Sequence, residues 1–165
     1  MTEQLVALLE EYRDVLQSLL DLSYEKRQTI IEAKTERLSE IVQAELRVLS
    51  EMKSLEKRRL TLVNEIAPEF GVPASELTVS RIADGAEYEQ ANRLRALLVE
   101  MDAIVGSQVQ LNSANKELLD AHLEYSEVML NLMIDSADPL NNFYSEDGST
   151  EGDKKIGIGL FDRQT

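Results

Sequence analysis

Apolar residues return every three or four positions through the first 66 residues, which is the repeat of one face of a helix. The first stripe consists of Leu5, Leu9, Tyr12, Leu16 and Leu19, widened by Leu8, Val15 and Leu22. A second series alternates steps of three and four, the spacing of a heptad seam. Its members are Leu38, Ile41, Glu45, Val48, Met52, Leu55, Arg59, Leu62 and Ile66. The two series predict helices at about 3–32 and 35–66.

The polar segment 32–36 separates the two stripes, and Thr35 is the predicted N-cap of the second helix. A hairpin at this segment lets the two apolar stripes bury each other. The alternative is one continuous helix of about 95 Å, at about 1.5 Å per residue. That rod would need a second chain to cover its seam, and we therefore prefer the hairpin.

Proline and glycine first interrupt the pattern in residues 67–85. They are Pro68, Gly71, Pro73 and Gly85. This composition predicts a connector with one short helical turn near residues 80–83. A third helix is predicted at about 86–136, because steps of three and four resume there. Its seam is Leu94, Leu97, Met101, Ile104, Gln108, Leu111, Asn115, Leu118, His122, Tyr125, Met129 and Leu132.

These elements predict an all-α fold: an antiparallel, coiled-coil-like bundle of three long helices over residues 1–136. Residues 137–165 are polar and rich in glycine, which predicts a flexible C-terminal tail without a core of its own. The tail nevertheless keeps aromatic residues, among them Phe143 and Tyr144.

The charge of the chain excludes several classes of partner. It contains 31 acidic and 17 basic residues, for a net charge of −14. Such a surface repels phosphate backbones and anionic lipid head groups, so neither nucleic acid nor membrane insertion is expected. No apolar run approaches the ~20 residues that span a membrane. The N-terminus also lacks the basic start of a secretory signal, and we expect a cytoplasmic protein.

Residues that perform catalysis are scarce. The chain has no cysteine and a single histidine, His122, whereas zinc and di-iron sites in bundles require several ligands. No glycine-rich phosphate loop follows a strand. The sequence therefore predicts no enzyme, no catalytic residue, no metal and no cofactor, and His122 is interpreted as a structural side chain on the third seam.

Polar side chains also occur within the third apolar pattern. They are Gln108, Asn112, Asn115 and His122. A buried amide costs stability but can fix the register of helices and the choice of partner. Alternatively, the partner helices end at this level and solvent enters. The sequence leaves both explanations open.

Residues 128–134 are apolar on nearly all sides of the third helix, and an acidic stripe precedes them. The stripe comprises Glu117, Asp120, Glu124 and Glu127. A helix that is apolar on most sides must be buried on most sides, and a three-helix bundle covers only part of it. We interpret the segment as a docking surface for a partner helix, whose methionines adapt to the occupant. Self-association, or packing of the tail onto this surface, is the alternative.

The late helix, its asparagine pair and the tyrosine-containing tail resemble the FlgN-type flagellar type III export chaperones. The elements that match are Leu111-Asn112-Ser113-Ala114-Asn115, Leu118-Leu119 and Phe143-Tyr144-Ser145-Glu146-Asp147-Gly148. The resemblance covers essentially the whole chain. It implies a cytoplasmic chaperone that binds the terminal amphipathic helices of hook-associated proteins at the hook–filament junction. Such a chaperone prevents their premature association and delivers them to the export gate.

The resemblance also implies where the partners bind. Client binding falls on Asn115, Leu118, Leu119, His122, Tyr125, Met129, Leu132 and Met133. Tyr144 is implied to contact the export-gate protein, although it can instead fold back onto the third helix. A structural coiled-coil or oligomerisation module is the alternative function. The identity of the client and the formation of a homodimer are left open.

Overall fold

The computed structural model describes residues 1–137, and all regular structure within them is helical. Helix α1 spans Thr2–Ile31 and helix α2 spans Thr35–Phe70. A 3₁₀ turn at Ala74–Glu76 is followed by the short helix α3 at Val79–Gly85. Helix α4 runs from Tyr88 to Ala137. The prediction of an all-helical chain is confirmed for the described residues.

Helices α1 and α2 form a hairpin, as the two separated stripes predict. Glu11, early on α1, pairs with Arg58, late on α2, and Lys26, later on α1, pairs with Glu45, earlier on α2. The two helices are therefore antiparallel. The reversal takes place at Ala33, which adopts a positive φ of 53°. Its N–H donates to the Ile30 carbonyl at 3.1 Å and the next N–H donates to the Thr29 carbonyl, which satisfies two carbonyls at the end of α1.

Helix α4 runs alongside α1 in the same direction. The Arg93 guanidinium donates to Glu10 at 2.6 Å, and Arg13 donates to Glu100 at 2.9 Å. Further along both helices, the Gln108 side chain donates to Ser23 at 2.7 Å. Residue numbers therefore increase together along α1 and α4.

The main hydrophobic core joins side chains from all four helices and the connector. Its buried members are Leu5, Leu9, Val63, Ile66, Ala67, Leu77, Ile82, Ala83, Leu94 and Leu97. Burial of a leucine side chain contributes about 1.5–3 kcal/mol, and this cluster accordingly anchors the start of α4 against the hairpin. A second cluster of Leu8, Val15 and Leu55 continues the contact between α1 and α2.

The structure corrects the predicted start of the connector at residue 67. Helix α2 continues through Pro68 and ends only at Phe70, where Gly71 takes the left-handed conformation with a φ of 64°. Proline lacks one N–H and costs less near the end of a helix than in its interior. Thr35 is the first helical residue rather than the N-cap, since Lys34 occupies that position and makes no side-chain cap bond.

The short helical turn predicted near residues 80–83 is present as α3. Its N-cap is Thr78, whose hydroxyl oxygen accepts a hydrogen bond from the Arg81 N–H at 3.2 Å. Ile82 and Ala83 on this helix are buried, so the connector contributes to the core in addition to linking α2 and α4.

The chain divides into two compact units, Met1–Leu123 and Glu124–Thr165. Of the second unit, the structure describes only residues 124–137, which form the last part of α4. The predicted tail at 137–165, including Phe143 and Tyr144, lies outside the described residues apart from Ala137. The predicted boundary between bundle and tail therefore stays a prediction.

Candidate functional site

The most conspicuous candidate site is the apolar surface of the last third of α4. Near the start of this helix, Leu94 and Leu97 are both 0% exposed. From residue 123 to residue 134 all the apolar side chains except that of Met129 are exposed, with Leu123 at 69% and Ile134 at 66%. The exposed members are Leu123, Tyr125, Val128, Leu130, Leu132, Met133 and Ile134. Because these positions lie on different sides of α4, no single neighbouring helix would cover them all.

The residues predicted for client binding fall into three groups. Asn115 is buried, at 2% exposure. Leu118, Leu119 and Met129 are partly buried. The exposed group is His122, Tyr125, Leu132 and Met133. Half of the predicted set is thus exposed and can be reached by another protein, whereas Asn115 is accessible only through a change in its surroundings.

The buried amide at Asn115 is held by the middle of α1. Its Nδ2 donates to the Ser23 carbonyl oxygen at 2.9 Å, and the Gln108 Nε2 donates to the Ser23 hydroxyl at 2.7 Å. The Asn115 Oδ1 and the Gln108 Oε1 are buried without a hydrogen-bond partner. Each buried oxygen that lacks a donor lowers the stability of the fold by about 1–3 kcal/mol.

The first explanation, a buried amide that fixes the register, applies to two of the four polar residues of α4. Gln108 and Asn115 make buried contacts that fix α4 against α1. Asn112 and His122 are exposed. His122 lies on an exposed part of the predicted α4 seam and not in the core.

A hollow of about 580 Å³ lies beside these amides, between α2 and α4. Its lining comprises Leu19, Lys26, Glu45, Leu49, Gln108, Asn112, Asn115, Lys116, Leu119, Asp120 and Leu123. Lys26 and Glu45 form an ion pair at 2.8 Å across the hairpin, and both side chains are mostly buried. The pair places two hydrogen-bonded charges in a lining that also contains four leucines.

A second hollow of about 440 Å³ lies further toward the start of α4, and it is lined by the same helices together with Val79 of α3. Its lining comprises Leu9, Tyr12, Leu16, Met52, Arg59, Val79, Leu98, Met101, Asp102 and Val105. Burial, and then the neighbouring Glu56 carboxylate, raise the pKa of the Tyr12 hydroxyl above its usual value. Arg59 donates twice to Glu56 at 2.8 Å, which lowers the pKa of that carboxyl group.

Among residues 1–137, no group of three or more histidine, cysteine, aspartate or glutamate side chains is arranged to hold a metal ion. Within the same residues, no helix is both long enough and apolar enough to span a bilayer. The chemistry on offer at the candidate surfaces is burial of apolar groups, hydrogen bonding and charge pairing. This inventory is typical of a surface that binds other proteins.

Sequence reasoning overlooked the contribution of α2 to these hollows. Leu49 lies outside the heptad seam of α2, and nothing in the seam pattern distinguishes it from an ordinary exposed leucine. Glu45 did give a signal, because a carboxylate within an apolar seam requires a buried partner. That partner is Lys26 on α1.

The described residues form a helical protein with an exposed apolar helix surface, which is typical of protein-binding proteins. The model of one family, the FlgN protein, matches residues 1–152 of the chain. The chain therefore belongs to the FlgN family, a family of flagellar export chaperones, and the predicted family is confirmed. Comparisons with curated proteins and with solved structures found no match.

Proposed function

We propose that this chain is a cytoplasmic export chaperone for hook-associated flagellar proteins. It binds the terminal amphipathic helices of these clients, prevents their premature association and delivers them to the type III export gate. In this proposal the three long helices act as an antiparallel bundle, residues 137–165 act as a flexible tail, and the protein is neither an enzyme nor dependent on a cofactor. The observation that carries the proposal is the exposed apolar surface of α4 from Leu123 to Ile134.

An exposed apolar surface of this kind is unfavourable in a protein that works alone. Large contiguous apolar patches on soluble proteins mark sites of interaction or of aggregation. The residues proposed to bind the client are Asn115, Leu118, Leu119, His122, Tyr125, Met129, Leu132 and Met133. A client helix that later packs into an assembly also exposes an apolar stripe while it is monomeric. Mutual coverage of the two surfaces removes both from water without any chemical step.

The charge around this surface supports selection of the client. Glu117, Asp120, Glu124 and Glu127 are all exposed. The sequence contains no lysine or arginine between Lys116 and Lys154. A concentrated negative field accelerates association with a basic partner and disfavours an acidic one. We therefore expect the bound helix of the client to carry basic residues beside its apolar stripe.

The decisive test is replacement of Leu132 by aspartate. Leu132 is 57% exposed, so the free protein tolerates a carboxylate there, whereas a client interface would bury it unpaired. We expect client affinity to fall by about tenfold or more, with unchanged helicity in far-UV circular dichroism. Met129→Asp should act in the same direction. The matched control is Val99→Asp, at an exposed apolar position of the same helix (71%), which should bind the client like the wild type.

Undiminished binding by Leu132→Asp and Met129→Asp would place the client elsewhere. Equal losses in Val99→Asp and Leu132→Asp would indicate a general effect of added negative charge instead of a specific surface.

The role of Tyr144 is a separate part of the proposal. An aromatic side chain in a polar segment suits a transient docking contact with the export gate. With Tyr144→Ala we expect unchanged client affinity in calorimetry and reduced export in cells. If residues 143–144 instead shield α4, the same substitution would raise client affinity. Unchanged affinity together with unchanged export would contradict both roles.

The second candidate function, an oligomerisation module, is favoured by the same exposed apolar side chains. It predicts that the wild type self-associates through α4. Sedimentation of wild type and Leu132→Asp distinguishes the two functions. A stable dimer that Leu132→Asp dissociates, combined with no affinity for client helices, would favour the module over the chaperone.

A further inference from the structure

The two hollows between α2 and α4 follow one another along the same three helices. Along α1 the lining passes from Leu16 to Leu19, and along α4 it passes from Val105 to Gln108. We call the combined lining the α2–α4 groove. It extends over residues 98–123 of α4, or about 37 Å at about 1.5 Å per residue. A groove of this length between two helices, with a third helix as its floor, has the dimensions of a vacant helix position in a four-helix bundle.

We infer that the α2–α4 groove is a docking site for an amphipathic helix of the client. This inference rests on the proposed function and adds a surface on α2 that the family match does not assign. The helix would present an apolar stripe to Leu49, Val105 and Leu119, which line the groove.

The first argument comes from the unsatisfied amides. Asn115 is buried and lines the groove, and its Oδ1 has no donor. Gln108 lies about two turns earlier on α4, and its Oε1 is likewise buried without a donor. Buried acceptors in native proteins are satisfied in the large majority of cases. A donor supplied by the bound helix, from an asparagine, glutamine, serine or lysine side chain, would satisfy them after a small movement of α4.

The second argument comes from the charges along the groove. Lys26 and Arg59 are already paired, with Glu45 and Glu56. The charged residues of the lining that take part in no ion pair among the described residues are Asp102, Lys116 and Asp120. Asp102 and Asp120 are 18 positions apart on α4, or about 27 Å. The complementary helix therefore carries two basic residues at that separation, with room for an acidic residue one turn from one of them to meet Lys116.

The test uses the full-length chain and, as probe, a peptide of the terminal helix of a hook-associated protein from the same genome. Leu49→Asp introduces a carboxylate at a groove position that is 47% exposed in the free protein. We expect peptide affinity in calorimetry to fall by about tenfold or more. Leu60→Asp is the matched control, since Leu60 is on the same helix, is 48% exposed and lines neither hollow. It should retain wild-type affinity, and both variants should retain wild-type circular dichroism and melting temperature.

A photo-crosslinking benzoylphenylalanine in place of Leu49 identifies the occupant of the groove. Crosslinks to the client peptide support the inference. Crosslinks to a second copy of the chain, or to residues 138–165 of the same chain, in the presence of saturating peptide would overturn it.

The failures of the two proposals can be distinguished. If the wild type does not bind the peptide, the proposed function fails. If the wild type binds and Leu49→Asp binds equally well, the function stands and only the groove assignment is overturned.

Discussion

The two ends of α4 are alike in sequence and opposite in environment. Around Leu94 and Leu97 the apolar residues join the core formed with α1, α2 and α3. From Leu123 to Ile134 the helix is at least as apolar, yet all of its apolar side chains except Met129 are exposed. Hydrophobic periodicity predicts which residues favour burial, but within residues 1–137 only the first set is covered by other helices. In the proposed chaperone function, the second, exposed set is where we expect the client to bind.

The middle of α4 separates its buried start from its exposed end. Gln108 and Asn115 fix the helix against Ser23 through directional hydrogen bonds. Such bonds specify register more strictly than apolar contacts do. These bonds align α4 with α1, but they leave two buried oxygens without a hydrogen-bond donor.

The largest expected effect is on the buried positions in the first half of the helix. Leu97→Ala and Leu111→Ala should each lower the free energy of unfolding by about 2–4 kcal/mol, because both side chains are buried and leave cavities. Chemical denaturation measures this directly. Losses below about 0.5 kcal/mol at both positions would mean that this end is no better packed than the other.

A smaller change in stability, of opposite sign, is expected in the middle of α4. Asn115→Leu removes an unsatisfied buried oxygen together with one hydrogen bond, so we expect stability to rise by about 1 kcal/mol. Client affinity should fall, because the amide no longer meets a donor from the client. A loss of stability comparable to that of Leu111→Ala would show that the amide contributes more to the fold than to binding.

At Gly106, between the two ends, the backbone can be made less flexible. A Cβ at this exposed helical position meets no atom within 4 Å, so alanine fits without strain. Gly106→Ala should raise stability by about 0.5–1 kcal/mol through helix propensity. A decrease in thermal denaturation temperature would indicate that the helix must bend at this point.

The smallest effect is expected at the exposed end. Leu132→Ala should change the free energy of unfolding by less than about 0.5 kcal/mol, although it is the same substitution on the same helix as Leu97→Ala. Denaturation of the two variants side by side tests the comparison with matched chemistry. A loss above about 2 kcal/mol would mean that Leu132 is buried in the free protein.

Much of the fold could be predicted because it depends on local patterns. The apolar repeats located α1, α2 and α4 to within a few residues, and the polar segment at 32–36 located the hairpin. The end of α2 was misplaced because Pro68 usually breaks a helix, but its cost is smaller in the last turn. The role of Ala33 was also missed, since an alanine with positive φ has no sequence signature of the kind glycine gives.

The candidate site was only partly predictable. The apolar run at 128–134 was visible in sequence, because too many sides of the helix were hydrophobic for one core. The pairing of Asn115 with Ser23 and of Lys26 with Glu45 depends on the register between helices. Periodicity in one helix does not specify that register. For the same reason, the contribution of Leu49 emerged only from the structure.

Amide hydrogen exchange with and without the client helix tests directly whether a client covers the exposed end of α4. We expect the amides of residues 118–134 to exchange more slowly in the complex, because the bound client suppresses local opening. The amides of residues 91–101 should show little additional protection, since the core already covers them. Unchanged exchange over 118–134 at saturating client would contradict the account.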